Sequence, residues 1–257
     1  MSYTEFDSRG PGGMGDALDA FRAASSRDTL ALAFLHNAEL DAEVILKLID
    51  DVEHESVLQL ALVSARGREA QELFHAGLAH LGPDPSPADL DELAADYAGI
   101  YLNHSLRASP CESVWIDEEG LAMQEAMFQV REYYSRHELA TRDWRKRSDD
   151  HIVLQLQFVS HLLATGEHFE EIARFLDEHL LRWVSDFAAR VASRCATPFY
   201  AGLCALTAAY VEELRDLLAE ILETPRPSAE EIEKRMKPGV QVALPTSKFV
   251  PGSAPSW

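Results

Sequence analysis

Arg147-Ser148-Asp149-Asp150-His151 stands directly before the apolar run of residues 152–163, Ile-Val-Leu-Gln-Leu-Gln-Phe-Val-Ser-His-Leu-Leu. Two carboxylates and a titratable ring at the mouth of such a segment admit two chemistries. In the first, Asp149 or Asp150 caps the free N–H groups of a first helical turn, worth roughly 1 kcal/mol, and suits the positive end of the helix dipole. In the second, the pair binds something. Capping accounts well for one aspartate, less well for two, and does not account for His151, whose ring the dipole would hold neutral. The apolar residues set the frame. Ile152, Leu156, Val159 and Leu163 fall at i, i+4, i+7 and i+11, with Leu154, Phe158 and Leu162 in a second row, so this helix is central to a core.

Two further stretches carry chemistry. Residues 103–120, NHSLRASPCESVWIDEEG, interrupt two helices and contain Pro110, Glu112 and Trp115; irregular segments of that length are often functional. Arg142, Arg145, Lys146 and Arg147 surround Trp144 in the one basic cluster of the body. It reads either as a solvated loop or as a contact for a phosphate-bearing ligand or an acidic partner surface. The ten histidines are scattered. There is no HExxH, and the lone Glu72-x-x-His75 falls short of the two such motifs a di-iron bundle needs, so no metal is expected and His75 reads as a partly buried polar residue. Phosphate-cradling glycine motifs and a GxSxG elbow are absent. Cys111, Cys195 and Cys204 make no CxxC and leave an odd thiol, which argues against a disulfide framework. The expectation is a protein that is not an enzyme and carries no cofactor of its own.

The elements that must position these residues are helical. Leu18, Phe21, Leu30, Phe34 and Leu35, then Val44, Ile45, Leu48 and Ile49, recur at helical intervals. The stretch from Glu55 to Gly82 reads as one long helix weakened at Gly67. Ser86-Pro87 reads as the N-cap and first position of the next. Residues 167–195 read as a single long helix, and Pro198 after Thr197 opens the last long one. No segment alternates with period 2, so no sheet is expected. The chain has 257 residues, 47% hydrophobic, a mean hydropathy of −0.16 and a net charge of −20. That is enough for a core and offers no membrane span. The charge disfavours nucleic acid and acidic membrane surfaces. Residues 1–15 are glycine-rich and read as a disordered tail without signal-peptide character. Residues 16–224 read as the helical body. Residues 225–257 are Pro-rich, with five basic against three acidic residues, and read as largely extended beyond a short helix at 228–236.

Three motifs in order resemble a known family. Tyr97, Ile100 and Tyr101, then Pro110, Cys111, Glu112, Ser113, Val114 and Trp115, with Gly120 and Leu121, resemble the Tyr-x-x-Leu-Phe helix and Pro-Tyr-Glu-Ser-Val-Tyr loop of the TorD/DmsD/NarJ chaperones. Asp150-His151 takes the place of the family's Asp-His helix start. Phe175, Leu176, His179, Leu180, Trp183, Phe187, Phe199 and Tyr200 match its Phe-Leu-x-x-His-Leu-x-x-Trp and Phe-Tyr helices. The resemblance covers roughly residues 28–222. The family's Glu-Pro before Asp-His is Arg147-Ser148 here, and Asp149 restores the acidic charge.

The resemblance implies an all-α single domain of about ten helices. It also implies a cytoplasmic chaperone, monomer or homodimer, without stable membrane insertion. Its partner would be the catalytic subunit of a molybdopterin oxidoreductase, bound through an N-terminal, twin-arginine-type signal region until the cofactor is inserted. Such a signal needs carboxylates in fork geometry beside an apolar groove. Asp149, Asp150 and Glu112 would supply the first. Tyr97, Tyr101, Trp115 and the rim of the Ile152 helix would supply the second, with His151 orienting a carboxylate or donating to the peptide. Arg142, Arg145, Lys146 and Arg147 are the expected contacts for a cofactor or partner. His179 and Trp183 are expected in the core. The alternative is a helical scaffold or regulator with no signal-peptide role.

Overall fold

A computed structural model describes residues 12–54 and 57–237. Among these residues the chain is all-α. In order come α1 (Gly12–Asn37), α2 (Ala42–His54), α3 (Ala65–Leu81), α4 (Pro87–Tyr97), a π-helical turn (Ala98–Leu102), α5 (Ser113–Ile116) and α6 (Glu125–Arg136). Then follow α7 (Ile152–Ala164), α8 (Phe169–Glu178), a 3₁₀ turn (Leu180–Arg182), α9 (Val184–Ala192), α10 (Pro198–Ile221) and α11 (Ala229–Met236). None of these helices is long and apolar enough to cross a membrane. α1 begins at Gly12, four residues before the expected Asp16. The rest of the glycine-rich start, residues 1–11, and the end expected to be extended, residues 238–257, lie outside the described residues. Contacts divide the chain into a unit ending at Arg226 and a second beginning at Pro227, which holds α11.

α10 is the spine of the first unit. It packs most extensively on α3 and also meets α8 and α9, while α7 packs along α1. The α3–α10 crossing is close because both helices present glycine. A Cβ on Gly202 would lie 2.6 Å from the Phe74 Cα, and one on Gly77 would lie 2.8 Å from the Phe199 Cα. Phe74, Leu78, Phe199, Leu203 and Leu206 are buried, as are Ile152, Leu156, Phe158, Val159, Leu162 and Leu163 of α7, while Leu154 of the second row is only partly buried. On α1 the apolar pattern overshoots the core. Leu30 and Phe34 are half exposed, and they line a hollow of about 650 Å³ with Val44 and Leu48 of α2.

Two expected helices are shorter than their apolar patterns. The stretch before α3 is irregular from Val57 to Ser64, because buried carboxylates take its amides. Asp28 accepts from the N–H groups of Gln59 and Leu60 at 2.7 and 2.9 Å. Glu213 accepts from those of Val63 and Ser64 at 2.8 and 3.0 Å, and from the Ser64 hydroxyl. Ser64 then caps α3 by accepting from Gly67 N–H. The long helix expected over 167–195 breaks at His179, whose backbone leaves helical geometry at φ −126°, ψ −88°. The break turns the His179 ring inward onto a polar partner described below. By contrast Ser86 and Pro87 open α4 as expected, with a complete capping box to Asp89. Pro198 likewise takes the first turn of α10.

The glycine crossing predicts a specific cost. Gly202→Ala forces the α3 and α10 backbones apart and lowers unfolding free energy by about 1–3 kcal/mol. Gly15→Ala on α1, where nothing lies within 4 Å, leaves it unchanged or slightly raised. Urea denaturation followed by circular dichroism separates the two.

Candidate binding site

The residues before α7 and the loop after the π turn are joined by backbone. The Glu112 N–H donates to the Asp150 carbonyl at 3.1 Å and the Ile152 N–H to the Pro110 carbonyl at 2.8 Å, an isolated antiparallel bridge between Cys111 and His151. Side chains reinforce it. The Asp150 carboxylate accepts from the Ser113 N–H at 2.8 Å, from the Ser113 hydroxyl at 2.5 Å and from the Ser148 hydroxyl. The Ser113 oxygen in turn accepts from the Gln124 N–H, which carries the tie onward to the start of α6. Asp149 points elsewhere. Its Oδ2 accepts from Arg131 Nε and Nη2 at 2.9 and 2.7 Å, while its carbonyl accepts from the Tyr134 hydroxyl at 2.9 Å.

Neither aspartate therefore caps α7, which sets aside the first of the two chemistries the sequence admits. The cap is His151, whose Nδ1 accepts from the Val153 N–H at 3.2 Å. Only a neutral ring offers Nδ1 as an acceptor, so the Nε2 carries the proton. Burial holds the His151 pKa far below its ordinary value, at about 3, with the Arg147 charge and the nearby His36 and His104 rings adding to the effect. Burial, rather than the helix dipole, keeps it uncharged.

Glu112 is also fully buried. His179 Nδ1 lies 3.1 Å from both of its oxygens, and the Gln155 amide donates to Oε2 at 2.5 Å. Trp183 Nε1 donates to the Gln155 carbonyl oxygen at 3.3 Å. His179 and Trp183 thus sit in the core as expected, in a chain of polar contacts running from the loop to α7 and the break between α8 and α9. Tyr97 and Tyr101 are buried as well. Tyr97 donates to the Asn37 carbonyl, and the Tyr101 hydroxyl lies 2.5 Å from His36 Nδ1. The Thr207 hydroxyl gives its proton to the Leu203 carbonyl and lies 2.8 Å from His36 Nε2. Nε2 is therefore the donor to Thr207 and Nδ1 accepts from Tyr101. Burial lowers the His36 pKa to about 3. Trp115 is half-buried, donates to the Ser109 carbonyl at 2.8 Å and meets Phe187 edge-on.

The accessible part of the site lies on the other side of Asp149. The loop of residues 139–147 stands over α7 and encloses a hollow of about 580 Å³ with an apolar floor of Leu139, Leu154 and Phe158 and a rim that includes Arg142, Lys146 and Arg147. Arg142, Arg145 and Lys146 are exposed. Arg147 is half-buried and donates to the Asn37 side-chain and backbone oxygens at the end of α1. Among the described residues no group of histidine, cysteine and carboxylate side chains has the arrangement of a metal site. Arg131, Tyr134 and Gln155 were not picked out from sequence, and Ser113 was noted only as part of a motif. Gln155 had a signal, a polar residue inside a central apolar helix, whereas nothing local marked Arg131.

Two outcomes follow. Asp150→Ala leaves three donors unpaired and lowers stability by about 2–3 kcal/mol, with faster amide hydrogen exchange at Ser113 than at core helix positions. His36 and His151 have folded pKa values well below the ordinary 6.5. The stability they contribute is full above pH 6.5 and is lost as pH falls toward 3, because the unfolded chain takes up the protons first. His151→Asn keeps a capping oxygen and removes one titration, so its stability falls less steeply between pH 6.5 and 4 in denaturant melts.

Residues 63–189 match the family described as nitrate reductase delta subunit, a span that contains Glu112, Asp149 to His151 and His179. The chain is similar to the chaperone protein TorD of Vibrio cholerae serotype O1, 29% identical over 143 residues, 51% of this chain and 64% of that protein. It therefore spans less than two thirds of that relative. Similarity to TorD of Shewanella pealeana is 27% over 189 residues, 70% of this chain and 83% of the other. With TorD of Shewanella sp. strain ANA-3 it is 30% over 139 residues, 51% and 65% of the two. The all-helical architecture, the motif order and these matches agree: over residues 63–189 the chain is similar to the TorD/NarJ family of maturation chaperones.

Proposed function

We propose that this protein is a cytoplasmic, system-specific chaperone for the catalytic subunit of a molybdopterin oxidoreductase. It binds the subunit's N-terminal, twin-arginine-type signal region and holds it until cofactor insertion is complete and export can begin. The observation that carries the reading is the hollow beside Asp149. An apolar floor open to solvent suits the apolar stretch that follows the arginines of such a region. The family match over residues 63–189, and the chaperone names of the relatives, support the same reading.

The site residues divide by accessibility. Asp150, Glu112, His151, Tyr97 and Tyr101 act by fixing the loop and the start of α7, since their polar groups are buried and bonded within the chain. The rim of the hollow meets the client. Asp149, itself buried beneath the Arg131 side chain, is reached only when that side chain gives way, and Trp115 stands in the 103–120 loop. Arg142, Arg145, Lys146 and Arg147 face an acidic client surface or the phosphates of the cofactor as it is delivered. Bound cofactor is not part of the resting protein in this reading, and none of these roles makes or breaks a covalent bond.

Affinity purification from the native host, with the cofactor pathway intact and at low salt, tests this. The expected result is recovery of a molybdopterin oxidoreductase catalytic subunit, abolished when that subunit's N-terminal segment is deleted. Recovery unaffected by the deletion, or of no such subunit, favours the helical scaffold instead.

A further inference from the structure

Asp149 differs from Asp150 in how it is satisfied. Asp150 is held by backbone and by two short serine side chains. Both donors on Asp149 Oδ2 belong to one long surface side chain, that of Arg131. The Arg131 guanidinium does not rest on the carboxylate alone. Its carbon lies 5.4 Å from the Phe128 ring centre and 5.2 Å from that of Trp144, and Nη2 is 3.9 Å from the Met127 sulfur. Phe128 is 52% exposed and Trp144 38%. Two aromatic rings left this open to water contribute little as core. Placed around a carboxylate with a thioether beside them, they form a cage for a planar cation. Arg131 is 36% exposed and covers a carboxylate that is only 2% exposed.

We infer that Asp149, Phe128 and Trp144 form a guanidinium-binding site for an arginine of the client segment, and that Arg131 occupies this site when the client is absent. This rests on the signal-region reading above and assigns one arginine of that region to a place. Binding is then an exchange. Arg131 swings out to solvent, the incoming guanidinium takes the same two hydrogen bonds and the same ring faces, and the charge inside the cage is unchanged. The cage has cationic neighbours. Arg145 lies 5.2 Å from the Trp144 ring centre on the same loop, and Arg142, Lys146 and Arg147 follow along it. These disfavour a second free cation close by, so the site takes one guanidinium, and the apolar residues of the segment, not a second cation, are what pass the basic rim. Tyr134 links the cage to the apolar hollow. It lines the hollow while its hydroxyl donates to the Asp149 carbonyl. An arginine followed by apolar residues can therefore engage both.

The test compares wild type, Arg131→Ala, Arg131→Lys and Arg131→Ala/Asp149→Asn. The probes are N-methylguanidinium chloride and methylammonium chloride, followed by melting temperature, and capped peptides with Arg-Arg or Lys-Lys before an apolar run, followed by calorimetry. Vacating the cage should raise affinity for the Arg-Arg peptide about threefold to tenfold over wild type. It should also make N-methylguanidinium, but not methylammonium, stabilise Arg131→Ala, with both effects lost in the double variant. Arg131→Lys keeps an ion pair on Asp149, so it stays folded if the alanine variant does not, and lacks the planar fork; its gain should be smaller and in the same direction. Unchanged or weaker Arg-Arg binding in folded Arg131 variants, or equal stabilisation by the two small cations, overturns the cage and makes Arg131–Asp149 a structural ion pair. Loss of the chaperone reading is separate: it shows as failure of the native-host purification, whatever Arg131 does.

Discussion

One buried carboxylate, that of Asp150, fixes the geometry on which the rest of the site depends. It gathers an amide and two hydroxyls from both sides of the junction between the 103–120 loop and α7. Hydrogen bonds to a charged acceptor are worth more than neutral ones, and leaving a buried carboxylate without them is costly. Because Asp150 is engaged by the loop, it cannot cap α7, and His151 does so in its place. The bridge between Cys111 and His151 then sets Glu112 against His179 and Gln155. The same device recurs. Asp28 and Glu213 hold residues 59–64, and Asp96 accepts from the N–H groups of Ala196 and Thr197 before α10. Part of the chain's acidity is thus turned inward, binding irregular backbone to helices.

This explains what was legible in the sequence. Patterns of period 3.6 marked the helices because core burial is local in its demands. Ser86-Pro87 and Thr197-Pro198 marked helix starts because capping is local as well. What escaped were the places where a distant carboxylate competes for backbone. The run Val57–Val63 has a helical pattern, yet its amides serve Asp28 and Glu213, which lie far off in sequence. The segment around His179 reads as continuous helix, yet a partner on another element breaks it. For the site, the residues singled out in the sequence lie around the junction of the 103–120 loop with α7, but their directions were not legible there. Asp149 and Asp150 are neighbours in sequence and face opposite tasks.

That division gives the site a mechanical character. Asp150, Glu112 and the neutral His36 and His151 make a set of fully internal contacts, and the burial that lowers the pKa of both rings also keeps water from them. Asp149 stands at the edge of this set, its backbone carbonyl tied to Tyr134 and its carboxylate turned to a surface side chain. A rigid frame with one exchangeable contact can recognise a ligand without refolding, so little conformational entropy is lost on association.

The π-helical turn at Ala98–Leu102 has a consequence of another kind. In it the Asn103 N–H reaches back five residues to the Ala98 carbonyl. Such a turn accommodates one residue more than an α-helix of the same rise, and here the extra residue falls just before Tyr101 meets His36. Chain length at this point therefore sets which face Tyr101 presents. A chain one residue shorter between Tyr97 and Asn103 would close into regular α-helix and leave every later element where it stands, so the turn takes up one residue without rotating the chain beyond it.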